Sequence, residues 1–309
     1  MGVNDTHCKA CGEECGDKKS LHNHVRKNHE MYRAEYYTTY YPRTYVVSGR
    51  PVGFKSSIEA YFNEEFTSRD EMKVWIKNGD EEQVKEWMLR KLKERIETKE
   101  SPYAPCEVEL ETLMMPSISD YEEYFGSYTD LCKSFGAELL LSITKEIPKM
   151  KKGDPTICID TREQKPLSFP NSKVSALSYA DYTLMGDDYN YTYVDRKDAT
   201  DYRGTFGKQF KRFERELKRA IEMDSFIYVV IEDTLETLRN SKGFKNQVQG
   251  SEYAFKNMRK ILHEYPRNIQ FVFTGNRLAS QNLIPFILRH GEELWDYDVY
   301  YVLRKKGII

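Results

Sequence analysis

Three carboxylates and a lysine are spaced along residues 157–201 in a way that suits a divalent cation and a phosphodiester. Asp160 closes the apolar run ICI, Asp195 follows YTYV, and Asp181 lies between them in ADYTLMG, a third run of strand character. Strand ends are rigid, so acids placed there converge on one point, and hard cations take carboxylate oxygens and water. Lys197 stands two residues after Asp195, which puts both side chains on the same side of an extended backbone. Such a cluster holds Mg2+ or Mn2+, orients a water and offsets the charge of a developing phosphorane. Any one of these acids also reads as a surface residue, since 31% of the chain is charged. The ordered set, with Glu163 close behind Asp160, speaks against that for the group.

The pieces stand in the order IDTRE (159–163), ADY (180–182) and DRKDATD (195–201). This resembles the XPF/ERCC4-type nuclease family, whose signature is a strand ending in D-x-R-E, then G-D-Y, then E-R-K-x-x-x-D, and the resemblance runs from about residue 156 to 291. It implies an α/β, restriction-endonuclease-like core, a central mixed sheet flanked by helices, and a divalent-metal-dependent DNA endonuclease. It also implies Mg2+ or Mn2+ at Asp160, Asp181 and Asp195, catalytic work by these with Glu163 and Lys197, and support from Arg162, Arg196 and Asp201. Family members often pair their nuclease domains, so a homodimer is expected. There are two departures: Ala180 replaces the family glycine, and Asp195 replaces the family glutamate, one methylene shorter. Neither removes a charge.

Elements that position these residues follow from periodicity. After Asp201, Phe206, Phe210, Phe213 and Leu217 recur at helical spacing, while Lys208, Lys211, Arg212, Arg215, Lys218 and Arg219 occupy other faces. Lys208, Gln209, Lys211 and Arg212 are the candidate contacts to substrate phosphate. SFIYVVIED (225–233) reads as a strand buried on both faces. A helix over 251–265, a strand over 269–273 and a helix over 278–290 complete an alternation that predicts a mixed or parallel sheet with helices on both sides. Asn276 and Arg277 either approach the acidic cluster or form the turn that leaves the last strand.

Nearer the N-terminus, Cys8, Cys11, His24 and His29 have the C-x2-C-x12-H-x4-H spacing of a C2H2 finger. Two thiolates from a turn and two imidazoles about one helical turn apart close a tetrahedron around Zn2+, with Leu21 on the inner face. A unit this short has no core of its own, so the metal supplies its folding energy. Cys15 and His22 are spare ligands. Lys18, Lys19, Arg26 and Lys27 suit phosphate, which makes DNA the expected partner, against a protein-contact or purely structural finger.

Between these ends, the aromatic stretch 35–50 is expected to be a short strand or extended linker packing on a neighbour. A helix capped by Thr67 or Ser68 should stop at Asn78-Gly79, and a longer one from Asp80 buries Val84, Met88, Leu92 and Ile96. Helical pattern over 106–113 precedes PSISDYEEYFGSYTDLCKSFG (116–136), which resembles the small repeat associated with homing endonucleases, with Tyr128 in place of its tryptophan. The segmentation is a C2H2-like finger over 1–34, a linker and helical region over 35–102, a helical repeat-like DNA-binding unit over 103–145, a linker over 146–155 and the nuclease domain over 156–309.

Bulk properties set limits. A length of 309 residues allows two or more domains. A formal net charge of -2 excludes a uniformly basic nucleic-acid binder but leaves room for a local basic groove. No apolar run approaches membrane-spanning length and the N-terminus lacks a secretory core, so an intracellular, non-membrane protein is expected. Half of the six cysteines fall in the finger, which argues against a disulfide framework. The chain ends at KKGII without the tandem helix-hairpin-helix module that the resembled family commonly carries. That favours duplex DNA targeted by the N-terminal units over a structure-selective repair nuclease on branched DNA. A noncatalytic DNA-binding protein with a retained nuclease fold is the third reading.

Overall fold

The structure, a computed structural model, describes residues 6–54, 58–148, 155–240 and 250–309. It groups into two compact units, Met1–Glu86 and Trp87–Ile309. In the first, helix α1 (Lys18–Asn28) starts where the Asp17 carboxylate accepts the Ser20 amide at 2.7 Å, and it buries Leu21 and Val25. The aromatic stretch expected to be extended is instead, over its first half, helix α2 (Arg33–Tyr40). Tyr36, Tyr37, Tyr40 and Tyr41 recur as i, i+1, i+4 and i+5, a helical stripe, and Pro42 forces Tyr41 out of the α region. Tyr36 and Tyr37 join Leu21, Val25, Val52 and Tyr61 in one core, so the finger helix does not stand alone. Helices α3 (Ile58–Asn63) and α4 (Arg69–Asn78) follow, the latter capped by Ser68 and ended at Gly79 as the spacing predicts.

Helix α5 (Glu81–Lys99) is followed by α6 (Glu107–Thr112), α7 (Ile118–Phe125) and α8 (Tyr128–Ser134). Ser117 and Asp120 form a capping box on α7, Gly126 turns the chain at φ 79°, and Ser127 caps α8. Residues 103–145 pack in the same compact unit as the sheet. The Glu107 amide donates to Asp298 at 2.8 Å, and Arg304 pairs with Glu107 and Glu111 at 2.9 and 2.6 Å. Of the expected linker 146–155, residues 149–154 lie outside the described residues.

The sheet comprises β1 (Ile157–Asp160), β2 (Ser172–Ser175), β3 (Tyr182–Leu184), β4 (Thr192–Lys197), β5 (Phe226–Ile231) and β6 (Ile269–Phe273), in the order β2-β1-β3-β4-β5-β6. Strands β1 and β3, then β3 and β4, pair antiparallel; β2 with β1, β4 with β5, and β5 with β6 pair parallel. The sheet is therefore mixed. Strand β2, SKVS, is a short polar edge whose exposed face gives no apolar alternation to find it by. Two parallel crossovers supply α9 (Ala199–Phe206), α10 (Phe210–Glu222), α11 (Leu235–Asn240) and α12 (Gly250–Glu264). Helices α13 (Arg277–His290) and α14 (Val299–Lys305) end the chain. The phenylalanine repeat expected on one helix is split at Gly207 between α9 and α10, yet Phe206, Phe210, Phe213 and Leu217 are all buried. Every residue of β5 and β6 is buried, so helices cover both faces of the sheet.

Candidate active site and zinc centre

Strand direction decides which acids share one end of the sheet. Since β1 and β4 both run opposite to β3, the end of β1, the start of β3 and the end of β4 lie along one edge of the sheet. Asp160 and Lys197 close two of these strands, and Asp181 immediately precedes Tyr182, which pairs with Val194. The Asp181 amide donates to the Val194 carbonyl at 3.0 Å and the Asp160 amide to the Asp181 carbonyl at 2.8 Å, so backbone ladders fix all three acids. Asp181 is held there at a backbone cost: Ala180, immediately before it, has φ 58°.

Lys197 and Asp195 leave β4 on the same side, and their Nζ and Oδ1 atoms lie 2.6 Å apart. The second Asp195 oxygen, Oδ2, is buried with no hydrogen-bond partner among the described residues. Asp181 accepts the Arg196 amide at 2.7 Å, but burial and the Asp195 charge push its pKa well above the ordinary carboxylate value. For Lys197, burial disfavours the ammonium while Asp195 and Asp181 favour it more strongly, so its pKa is raised. It is a fixed cation and a poor proton acceptor.

Asp160 is differently placed. Its Oδ2 accepts from Arg162 Nε at 2.6 Å and its Oδ1 from the Leu177 amide at 2.8 Å. Burial raises its pKa, but these bonds outweigh burial and hold it below the usual value. With both oxygens engaged, Asp160 braces the β1 exit. Arg196, buried, lies between Glu163 at 3.1 Å and Glu232 at 2.9 Å. Arg277 donates to the Lys165 and Pro166 carbonyls at 2.9 Å and reaches Glu232 at 3.5 Å, so it does approach the acidic side, while Asn276 caps α13.

A cleft of ≈ 660 Å³ opens over this edge, lined among others by Glu163, Asp181, Lys197, Asp201, Arg212 and Glu216. Arg162, Arg196 and Gln209 also line it. Lys208 and Lys211 are exposed and lie outside its lining, Lys211 pairing with Glu214 at 3.2 Å. Two residues escape the motif reading. Glu232 directly follows β5, so the strand-end rule that points to Asp160 points to it as well. Glu216 sits one turn beyond Arg212 on α10 and accepts weakly from the Ala180 amide at 3.4 Å; only the helix face could have revealed it.

In the first unit, Cys8, Cys11, His24 and His29 bring one ligand atom each to within 4.8 Å of one another. The Cys8 Sγ to His29 Nε2, Cys11 Sγ to His24 Nε2 and His24 to His29 Nε2 distances are 3.5, 3.3 and 3.2 Å. A tetrahedral Zn2+ with bonds of about 2.3 Å to sulfur and about 2.0 Å to nitrogen needs edges of about 3.3–3.8 Å, so this Cys2His2 cluster can hold zinc. The other ring nitrogen of His24, Nδ1, lies 2.9 Å from the Asn28 side-chain amide and 3.3 Å from Glu13, neighbours that hold the imidazole in place. Of the spare candidates, His22 bonds the Tyr37 hydroxyl at 3.2 Å and Cys15 the Glu13 carbonyl at 3.7 Å; neither belongs to the cluster.

No protein-family model matches the chain and no curated protein matches it. Among solved structures it is similar to XPF from Aeropyrum pernix, with 16% identity, a TM-score of 0.33, and 44% of this chain and 66% of that chain covered. It is also similar to XPF from Aeropyrum pernix in complex with DNA, with 18% identity, a TM-score of 0.34, and 44% and 64% covered. The matches thus span less than two thirds of either XPF chain. Neither likeness assigns an activity here. Among the described residues, no helix is long and apolar enough to cross a membrane.

Proposed function

We propose that this chain is a divalent-metal-dependent DNA endonuclease, with the finger directing it to duplex DNA. The observation that carries the reading is the shortage of positive charge at the sheet edge. Asp181 lines the open polar cleft, its carboxyl pKa driven up by burial and by the charge of Asp195, and behind it the Asp195 Oδ2 is buried with no hydrogen-bond partner among the described residues. Two carboxylates with water are the donor set Mg2+ or Mn2+ takes. Asp181 and Asp195 would hold it, with Asp160 acting through the backbone it braces and Glu163 through Arg196. A cation bound there supplies Lewis acidity toward a phosphoryl oxygen.

The chain's own residues account for the rest. Lys197 offsets charge on the pentavalent phosphorus and, tied to Asp195, orients the attacking water. Arg212 faces the cleft from α10 and is placed to grip a neighbouring phosphate. On the finger, Lys18, Lys19, Arg26 and Lys27 supply phosphate contacts. Incubating long duplex DNA with Mg2+ tests the reading. The wild type should cut, and Asp195→Ala and Lys197→Ala should cut at least a hundredfold more slowly, as expected when a transition-state charge partner is removed. Equal cutting by all three would sink it. Mapping the cut sites separates one or a few addresses from cutting confined to branch points.

A further inference from the structure

We infer that the exposed face of α10 is a phosphate track that holds duplex DNA on one side of the cleft, with Arg215 and Arg219 extending the footprint beyond the cleft wall. The inference rests on the nuclease reading above and deepens it. At about 100° per residue, Arg212, Arg219, Arg215 and Lys218 follow one another around about a third of the helix. Glu216 and Gln209 lie next to Arg212, on the side that lines the cleft. Phe210, Phe213, Leu217 and Ala220 anchor the buried side. The four cations are exposed and make no ion pair among the described residues. Glu222, at the far end, is the one acid on this arc. Lys211 also falls on this arc, but it pairs at 3.2 Å with Glu214, which lies just past Lys218 and takes Lys260 at 2.7 Å as well.

Like charges at i and i+4, as in Arg215 and Arg219, repel on a bare helix, and a polyanion relieves that repulsion. Arg212 to Arg219 spans about 10.5 Å along the axis. One DNA strand carries a phosphate about every 3.4 Å of axis, so about three phosphates lie alongside. The track begins at the cleft and runs away from it, which makes the footprint one-sided.

The test measures binding of the full, zinc-loaded chain to a short DNA duplex in buffer without Mg2+ or Mn2+, across a range of salt, so that no cutting is required. Arg215→Ala/Arg219→Ala should lower the slope of log K against log[salt] by about 1.8, at about 0.9 per lost phosphate contact, which weakens binding roughly sixtyfold near 0.1 M salt. Lys73→Ala/Lys77→Ala, exposed lysines on α4, should change neither. An unchanged slope in the α10 variant, or an equal fall in both variants, overturns the track. If the slope falls as stated and Mg2+ still produces no cuts, the nuclease reading fails and the track stands. If Mg2+ cutting is normal and the slope does not move, the reverse holds.

Discussion

At the scale of single residues, the sharpest question is the pair Asp181 and Asp195. In EDTA, Asp181 must ionise beside a buried carboxylate, and its pKa is raised by burial and by Asp195. Folding favours the protonated form. Whatever Asp181 contributes to stability is therefore present below its unfolded value and is lost as pH rises through its raised native value. Asp181→Asn removes that loss while keeping an acceptor for the Arg196 amide. Its melting temperature in EDTA should exceed the wild type's at pH 8, the gap closing toward pH 4; a constant gap would contradict the charge argument. Mg2+ or Mn2+ should raise the wild-type melting temperature at pH 8 and the variant's less. The neighbouring Ala180, at φ 58°, pays about 1–2 kcal/mol for a left-handed backbone, against about 0.5–1 kcal/mol of extra chain entropy lost by glycine. Ala180→Gly should accordingly be stabilising by up to about 1 kcal/mol in urea titrations, without loss of the site. The carboxylates and Lys197 were legible in the sequence because strand ends and same-side spacing are local properties. The engagement of Asp160 by Arg162 and Leu177 was not, because Leu177 approaches from a loop that no periodicity locates.

At the scale of elements, the finger shows where spacing suffices and where it does not. The four ligands are readable from C-x2-C and H-x4-H alone. The idea of a finger without its own core gives way, because α2 was hidden by its tyrosines: β-prone residues at helical positions. Their stripe closes over Leu21 and Val25, so metal and apolar core stabilise the same unit. Elemental analysis should find one zinc per chain, reduced in Cys11→Ser. Co2+ should give the visible absorption of a tetrahedral thiolate site. Chelation should lower the thermal midpoint of the first unit yet leave the helical signal of the second, since the sheet owes nothing to the finger ligands. A chain without bound zinc and indifferent to chelator would refute the site. The split of the phenylalanine stripe between α9 and α10 teaches the same lesson: side-chain period predicts the buried face but not the break at Gly207.

At the scale of the whole molecule, the second unit is fastened across almost its full sequence. Glu107 and Glu111 on α6 are buried, 2% and 4% exposed, and Arg304 on α14 serves both at 2.9 and 2.6 Å. Asp298 joins them, its side chain accepting the Glu107 and Tyr301 amides at 2.8 and 3.2 Å. No sequence window contains both halves of this network, which is why CEVELET reads simply as a helix with acids on it. Burial pushes the Asp298 pKa up to about 6, so its ionisation costs stability as pH rises between about 4 and 6 and nothing further above that range. Arg304→Met should be far more costly. It removes the guanidinium while leaving both glutamates buried, and losing one side of a buried pairing costs about 3–5 kcal/mol. Adding Glu107→Gln and Glu111→Gln should recover most of that, since the neutral amides no longer require a counter-charge. Urea unfolding of the single and triple variants at pH 7 decides the matter. If Arg304→Met unfolds at the wild-type midpoint, the two ends of the unit are not joined through charge, and the apolar contacts of α14 with β6 hold them instead.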